Sequence, residues 1–217
     1  MLNAMTHHRT VIPSMAQFPG AVWSTHPLNR AAGFSLIEVL VSIVVLSFGM
    51  LGMVGMQSAA LQANREARLQ SAATVLAREA AEMIRGNKSI GVLSTSNPYV
   101  RTLSAGTATG TSSYCLGVAA TACADTTEIA NAQMTEWLAR VDAELPGAKV
   151  SICFDTTPFD TSTGLPQWTC TAGAGAVLVV KIGWTRGSTN KSQTGTNAFD
   201  TASKPAIVLP VTAGNTA

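Results

Sequence analysis

The sequence predicts an α+β fold in which one long N-terminal helix packs on a small antiparallel sheet, with a short second helix beside it. Three observations lead to this prediction. An apolar run, Val39–Met56, continues into an amphipathic segment that ends near Arg85. A capping sequence at Asp125 opens a second helical pattern. Three apolar stretches of strand length follow, and a sheet that buries one face on a helix is the natural arrangement for this series.

The long helix begins with an unusual combination of residues. No residue from Val39 to Asn64 is charged, which is enough to cross a bilayer core of roughly 30 Å at about 1.5 Å per residue. Glu38 immediately precedes this run, and a Gly33-Phe34 junction lies shortly before it, separated by Ser35–Ile37. A carboxylate costs about 2.5–3.5 kcal/mol at the centre of a membrane helix and less near its end, so Glu38 is expected to have a function.

The block Gly33–Glu38, read Gly-Phe-Ser-Leu-Ile-Glu, closely resembles the class III signal of type IV prepilins. The resemblance combines a small residue, a Phe after it, a Glu at the fifth mature position and an unbroken apolar run. In that family a prepilin peptidase cuts after the Gly, the new N-terminal Phe is methylated, and the helix stays on the mature protein. The resemblance implies cleavage between Gly33 and Phe34, N-methylation of Phe34, an assembly role for Glu38 and a pilin-like fold.

The resemblance continues to Asn87. The glycine and methionine pattern of residues 49–57 and the amphipathic segment of residues 68–87 are especially similar to minor pilins of the PilV, or type IV pilus modification, group. Glycine costs roughly 1 kcal/mol in a helix interior, so this stretch is able to bend or melt. The family implies as partners the prepilin peptidase, the major pilin, other minor pilins and the lipid of the inner membrane. Roles in adhesion and motility are associated with such pili.

Two other interpretations of the apolar run are disfavoured. A secretory signal with Arg30 as its positive flank and Ser58–Ala60 as its cleavage site would have a core of about 7–15 residues, and Glu38 would interrupt its start. A plain transmembrane anchor needs neither Glu38 nor the Gly-Phe junction. Arg9 and Arg30 precede the span and no acidic residue occurs before Glu38, so the positive-inside rule predicts a cytoplasmic N-terminus.

These features divide the chain into three parts. Residues 1–33 form a leader that we expect to be cleaved and disordered. Residues 34–86 form the N-terminal helix, whose first half spans the inner membrane before assembly. Residues 87–217 form an extracytoplasmic head, which is enough chain for one modest globular domain. After assembly the protein is expected in an extracellular pilus or in the periplasm.

The composition excludes several classes of function. All three histidines, His7, His8 and His26, precede Phe34, so the mature chain has none for Ser-His-Asp or Cys-His catalysis or for a histidine-containing zinc site. Two of the 14 basic residues lie in the leader, and the remaining 12 balance the 12 acidic ones. No basic stripe with interleaved aromatics occurs, so no nucleic acid is expected as a partner. We expect no enzymatic activity, no metal and no cofactor.

Three hypotheses for the function remain open at this point. The first is a minor pilin of a type IV pilus, incorporated into the pilus or its initiating complex. The second is a pseudopilin of a type II secretion system, which belongs to the same superfamily. The third, a membrane-anchored periplasmic enzyme, is disfavoured by the absence of histidine from the mature chain.

Four cysteines lie in the predicted head: Cys115, Cys123, Cys153 and Cys170. None belongs to a C-x-x-C pair, so the spacing of a four-cysteine zinc site is absent. An even number of cysteines in an exported domain indicates two disulfides. We favour Cys115–Cys123 and Cys153–Cys170, because the two members of each pair are close in sequence.

The head begins with residues 88–124, a segment rich in Ser, Thr, Gly and Ala that predicts a long surface connection with a small apolar patch near Tyr99. Asp125–Glu128 is a capping box. It opens a helix that Pro146-Gly147 ends, with Trp137 expected in the core. The apolar strand candidates come next and are listed here: Val150–Phe154, Val177–Trp184 and Ile207–Val211.

Three details of the last segments carry predictions. Pro210 suits an edge strand, because proline cannot donate a hydrogen bond to a ladder. Residues 185–205 are polar and form either a contact for a receptor or partner, or a disordered or plain long turn. Ser188–Lys191 matches the S-x-x-K pattern of penicillin-binding enzymes without that family's other motifs. Asp155 and Asp160 are possible Ca²⁺ ligands, but we expect them to be solvated loop carboxylates.

Overall fold

The computed structural model describes residues 33–104, 115–117, 121–188, 190 and 192–214. These residues belong to two compact units, one ending at Met50 and the other beginning at Leu51. The helices are α1, Leu36–Gly86; α2, Lys88–Gly91; and α3, Thr126–Glu144; with a 3₁₀ turn at Gly195–Ala198. The strands are β1, Arg101–Leu103; β2, Lys149–Asp155; β3, Val177–Gly183; β4, Thr185–Gly187; β5, Phe199–Thr201; and β6, Ile207–Val211.

Helix α1 begins two residues after the predicted start at residue 34, ends at the predicted residue 86, and is helical throughout its glycine-rich stretch. The buried residues of α1 lie in the second unit. They recur every three or four positions and are mostly alanine. They are Ala73, Leu76, Ala77, Ala80, Ala81 and Ile84. Small side chains let the neighbouring elements approach the helix closely. Leu61, on the N-terminal side of these residues, is 69% exposed.

Helix α3 packs on α1 through Trp137. Helix α3 begins where the capping box predicts, because the Asp125 carboxylate accepts a hydrogen bond of 2.8 Å from the Glu128 backbone N–H. The Glu128 carboxylate accepts in turn from the Ala124 N–H at 2.6 Å. Trp137 is fully buried, and its indole N–H donates to the Leu76 carbonyl of α1 at 3.0 Å. The prediction that Trp137 belongs to the core is confirmed.

The main sheet has four antiparallel strands in the order β1-β2-β3-β6. Side chains alternate between its faces. One face carries the apolar residues that meet the helices: Val150, Ile152, Leu178, Val180 and Ile182. Strand β6 lies at an edge of this sheet, where Pro210 is in register with Val179. The α+β fold class predicted from the sequence is confirmed, with a long helix and a shorter one on a small antiparallel sheet.

The prediction of a surface connection is wrong for residues 88–104. This segment contains α2 and the edge strand β1, and Tyr99 and Leu103 are both buried. The Tyr99 hydroxyl contacts the Gln133 side-chain oxygen of α3 at 2.9 Å. The segment is therefore part of the core, in spite of its polar composition. Residues 105–114 and 118–120 of the predicted connection lie outside the described residues, as do residues 1–32 of the leader.

The prediction of a disordered or plain turn is also wrong for residues 185–187 and 195–201, which form two strands and a 3₁₀ turn. Strands β4 and β5 pair antiparallel as a second, two-stranded sheet. Arg186 and Asp200 face each other across it, with an N–O distance of 3.4 Å. The hairpin explains why so polar a segment is ordered, since its backbone groups are paired within it. Thr189 and Lys191, part of the S-x-x-K match, lie outside the described residues.

Candidate processing and assembly site

The predicted processing junction lies just before α1. Gly33, Phe34 and Ser35 precede the helix, and the Ser35 carbonyl accepts the first helical hydrogen bonds, from the backbone N–H of Glu38 at 3.0 Å and of Val39 at 3.2 Å. Phe34 is 82% exposed. The junction is therefore an accessible stretch of chain outside regular structure, the form in which a peptide bond can enter the active site of another protein.

Glu38 lies in the first turn of α1, where a carboxylate is stabilised by the positive end of the helix dipole. Spacings of three and four residues place it in a groove that is otherwise mainly apolar. The groove is lined by Phe34, Glu38, Val39, Ser42, Ile43 and Leu46. Within the described residues, no hydrogen bond or ion pair reaches the Glu38 carboxylate. This unit therefore presents an unpaired acid surrounded by exposed apolar side chains.

Within the part of the chain that the structure describes, nothing requires glycine at position 33. A Cβ built on it would meet no heavy atom within 4 Å, and its φ angle is not in the left-handed region. A side chain here would be accommodated without strain in the chain itself. If glycine is required at this position, the requirement comes from a molecule that binds the junction.

Among the described residues, one helix, α1, is long and apolar enough to cross a membrane. The apolar stretch that meets this criterion is not buried against any part of the chain. Such a surface is unfavourable in water by about 25 cal/mol for each Å² of apolar area. Together with the unpaired Glu38, this exposure indicates that the segment functions in lipid or among other apolar helices.

The four cysteines lie elsewhere, in the second unit. The structure joins Cys115 to Cys123 and Cys153 to Cys170, with Cα–Cα distances of 4.9 and 6.3 Å. The Cys153–Cys170 bridge ties β2 to the segment between β2 and β3. It lies on the face of the sheet that points away from the helices.

Next to this bridge is a charged pair that the sequence analysis missed. Lys181 of β3 and Asp155 of β2 are both 0% exposed, and the Lys181 Nζ lies 2.6 Å from the Asp155 Oδ2. Burial alone would raise the pKa of the Asp155 carboxyl. Hydrogen bonds from Lys181 and from the backbone N–H groups of Thr171 and Thr157, with the charge of Lys181, hold that pKa below its usual value instead.

The expectation that Asp155 is a solvated loop residue is therefore wrong, because it ends a strand and is buried with a partner. Its oxygen lies within 4.8 Å of the sulfurs of Cys153 and Cys170. These three groups do not form a metal site, since the sulfurs are bonded to each other and the carboxylate is bonded to Lys181. Asp160 lies in a loop as expected and is partly exposed, and hydrogen bonds from Ser162 and Thr163 lower the pKa of its carboxyl.

The sequence does contain a signal for this pair. Lys181 interrupts the apolar strand Val177–Gly183, and a lysine within a buried strand needs a partner charge. Asp155 is the acidic residue at the end of the neighbouring strand candidate. Their contact across the sheet was not foreseen, because the strand register is not known from the sequence.

Comparison with known proteins bears on the N-terminal unit. The chain matches the family model described as "Prokaryotic N-terminal methylation motif" over residues 28–54. No curated protein and no solved structure matches the chain significantly. The match covers Gly33, Phe34 and Glu38, and it supports a type IV pilin or pseudopilin in general. A motif of this type implies processing by a prepilin peptidase and assembly with other pilins, and it points to a structural rather than an enzymatic protein.

Proposed function

We propose that this chain is a minor pilin of a type IV pilus, of the PilV group, which is incorporated into the pilus or its initiating complex. The observation that carries the proposal is the methylation motif at the start of an exposed apolar helix. The glycine and methionine pattern of residues 49–57 supports a pilin of the PilV group over a pseudopilin of a type II secretion system.

We assign a role to the junction and to the helix that follows it. The prepilin peptidase cuts between Gly33 and Phe34, and Phe34 is then N-methylated. The lack of any internal steric demand for Gly33 supports this assignment, because recognition by a peptidase is a reason for glycine that lies outside the fold. Residues 34–86 act as the pilin helix, and its first half holds the chain in the inner membrane with the N-terminus in the cytoplasm.

Glu38 is the residue that we assign to assembly. In a single helix its carboxylate sits at the membrane boundary, where water limits the cost of its charge. Inside a filament that water is lost, and an unpaired carboxylate becomes expensive unless a cation replaces it. The groove around Glu38 supports this role, since its apolar walls would exclude water once a neighbouring helix covered them. The resemblance supplies the cation, the methylated N-terminal amine of an adjacent subunit.

Residues 87–217 form the head, which is exported, and we propose that the two disulfides form there. Peptide mapping under non-reducing conditions tests their connectivity. Recovery of Cys115–Cys123 and Cys153–Cys170 is the expected result. Crossed links, such as Cys115–Cys170, would contradict the connectivity without contradicting the family.

Processing is tested by N-terminal sequencing and intact mass of protein extracted from membranes. We expect a chain that begins with N-methylated Phe34. A chain that begins at Leu61 would instead support cleavage of an ordinary secretory signal after residue 60. The two results also differ in whether the apolar helix remains on the mature protein.

Assembly is tested by the variants Glu38→Ala and Glu38→Gln. Both should be inserted and cleaved normally, because neither change touches the junction or the apolar run. Both should be depleted from sheared pili relative to their level in the membrane, since each loses the charge that pairs with the amine. Glu82→Gln is a matched control, because Glu82 is an exposed acid on the same helix whose surface ion pair with Arg85 contributes little.

The same fractions discriminate between the candidate machines. A minor pilin is recovered with sheared type IV pili, whereas a pseudopilin is absent from them and its loss impairs secretion. If both Glu38 variants enter pili at the wild-type ratio, Glu38 is only a tolerated residue at the membrane boundary.

A further inference from the structure

The sheet face that points away from the helices is covered over β2 and β3, although several residues there are polar. Val179 and Lys181 project from β3 on this face, and both are 0% exposed. Residues 168–171, from the connection between β2 and β3, make the contacts that close it. We call these four residues the cover segment.

The first residue of the cover segment fixes one end of it. The Trp168 indole N–H donates to the Ala202 carbonyl at 2.8 Å, and the Lys149 Nζ lies 4.5 Å from the centre of the Trp168 ring. A Cβ on Gly183 would come within 2.8 Å of the same ring. Glycine at position 183 therefore makes room for the indole against β3.

Two of the other three residues form hydrogen bonds with the buried ion pair. The Thr169 carbonyl accepts a hydrogen bond of 2.8 Å from the Lys181 Nζ. The Thr171 backbone N–H donates to the Asp155 carboxylate at 3.0 Å. Cys170 lies between these two residues and is bonded to Cys153 of β2. The disulfide thus holds the two backbone groups that complete the environment of the ion pair.

The disulfide and the ion pair depend on each other physically. A buried ion pair is stable only while further hydrogen bonds satisfy its polar atoms and water is kept out. The bridge closes a loop between residues 17 apart in sequence. If the disulfide is broken, loop entropy favours the open form of a loop of this length. The equilibrium constant between the closed and the open form falls by about a hundredfold. Because Cys153 and Cys170 are both half-buried, a small thiol reagent can reach the bridge.

We propose that the Cys153–Cys170 disulfide is a redox latch that keeps the cover segment closed over the Lys181–Asp155 pair. In the dithiol form the cover segment opens and Lys181 becomes accessible to solvent, while the helices and the sheet remain folded. In the disulfide form the pair is sealed. The latch goes beyond the proposed function and does not depend on it.

The chemistry of the latch is thiol–disulfide exchange. On closing, the two thiols of Cys153 and Cys170 lose two electrons and two protons to the disulfide of an oxidant, which leaves as a dithiol. On opening, a dithiol reductant transfers two electrons and two protons back and leaves as its own disulfide. A chain that moves from a reducing to an oxidising compartment would therefore seal the pair only after export.

The experiment measures the accessibility of Lys181 in the full-length chain in detergent. A brief pulse of an N-hydroxysuccinimide ester of acetate acylates exposed amines, and peptide mass spectrometry gives the rate at each lysine. Exposed Lys204 in the same chain is the internal reference. In the wild-type protein Lys181 should react much more slowly than Lys204. In the double variant Cys153→Ala/Cys170→Ala its rate should rise by tenfold to about a hundredfold.

Two controls show whether the effect is local. The matched variant Cys115→Ala/Cys123→Ala removes the other bridge and should leave the rate at Lys181 unchanged. Amide hydrogen exchange of α3 reports the rest of the head and should remain slow in both double variants. Continued protection of Lys181 without its bridge would overturn the proposal, as would an equal rise in the Cys115/Cys123 control.

A second measurement applies even if the cysteine variant does not fold. Dithiothreitol is added to the folded wild-type protein, and samples are taken over time, freed of reductant, capped at their thiols and acylated. Acylation of Lys181 should appear together with the thiols of Cys153 and Cys170, before α3 loses its protection from exchange. If Lys181 and α3 lose protection together, the disulfide holds the whole head and the latch is refuted.

Discussion

The buried pair of Lys181 and Asp155 gives the sharpest test of how the head is stabilised. Lys181→Met keeps the length of the side chain and removes its charge, which leaves the Asp155 carboxylate buried without a cation. Asp155→Asn removes the negative charge and keeps an oxygen that can accept from the Thr157 and Thr171 N–H groups. Removing one partner of a fully buried pair costs about 3–5 kcal/mol, so each single variant should lose that much.

The double variant Lys181→Met/Asp155→Asn should be far less damaged than the sum of the two single variants. It contains no buried charge, and the amide oxygen at position 155 accepts the backbone hydrogen bonds that the carboxylate accepted. The remaining loss is the hydrogen bond from Lys181 to the Thr169 carbonyl and some packing, about 1–2 kcal/mol. The coupling between the two positions should therefore be about 4 kcal/mol or more in the double-mutant cycle.

The assay is equilibrium unfolding in urea, followed by tryptophan fluorescence of the full-length chain in detergent. With a slope of roughly 2 kcal/mol per molar urea, each single variant should lower the midpoint by about 2 M, and the double variant by less than 1 M. Arg186→Met is a matched control, because it removes a cation from the partly exposed pair with Asp200. Additive losses, or single losses below about 1 kcal/mol, would refute the reasoning.

Three further predictions concern the acid stability of the head, its core and the processing junction. The lowered pKa of Asp155 stabilises the folded state fully above the ordinary value of 3.8, and this contribution disappears as the pH falls through the folded pKa. Urea midpoints should therefore drop more between pH 5 and pH 2 in the wild type than in the Lys181→Met/Asp155→Asn variant; equal drops would exclude this pair as the cause. Trp137→Phe should lower the free energy of unfolding by about 2 kcal/mol, because it loses the bond to the Leu76 carbonyl and part of the buried ring. One hydrogen bond contributes about 1 kcal/mol, so a loss of unfolding free energy below about 0.5 kcal/mol would contradict this prediction for Trp137. Gly33→Val should accumulate as uncleaved precursor with unchanged head stability, whereas Gly49→Ala should be cleaved normally; cleavage of both at the same rate would remove the assignment of Gly33.

The parts of the fold that the sequence predicts are those with a long or regular pattern. Helix α1 is recognisable because about fifty residues follow helical spacing, and α3 because Asp125 and Glu128 form a capping box. The central strands are recognisable because Val150, Ile152 and Phe154 alternate in β2 and because β3 is apolar except at Lys181. The candidate site at Gly33, Phe34 and Glu38 is recognisable for a different reason, since a charge beside a membrane-length run is rare enough to be informative.

The parts that were missed depend on contacts between distant segments. Strand β1 has three residues, too few to show alternation, and it is defined by its pairing with β2. Tyr99 is buried because α1 and α3 meet over it, which no local pattern encodes. The Lys181–Asp155 pair requires the register between β2 and β3, and the cover segment requires the path of a connection that has no regular apolar pattern.

Pro210 affects how readily the sheets of two molecules can pair along their edges. Strand β6 forms an open edge of the sheet, and an open edge offers unpaired backbone groups to any other extended chain. Proline has no N–H, so β6 has no donor at position 210 for an incoming strand to use. A protein that we propose to assemble through its N-terminal helix lies beside other pilins in the membrane and in the filament. Under those conditions Pro210 protects against aggregation by edge-to-edge strand pairing, so that the helix directs assembly and the sheet does not.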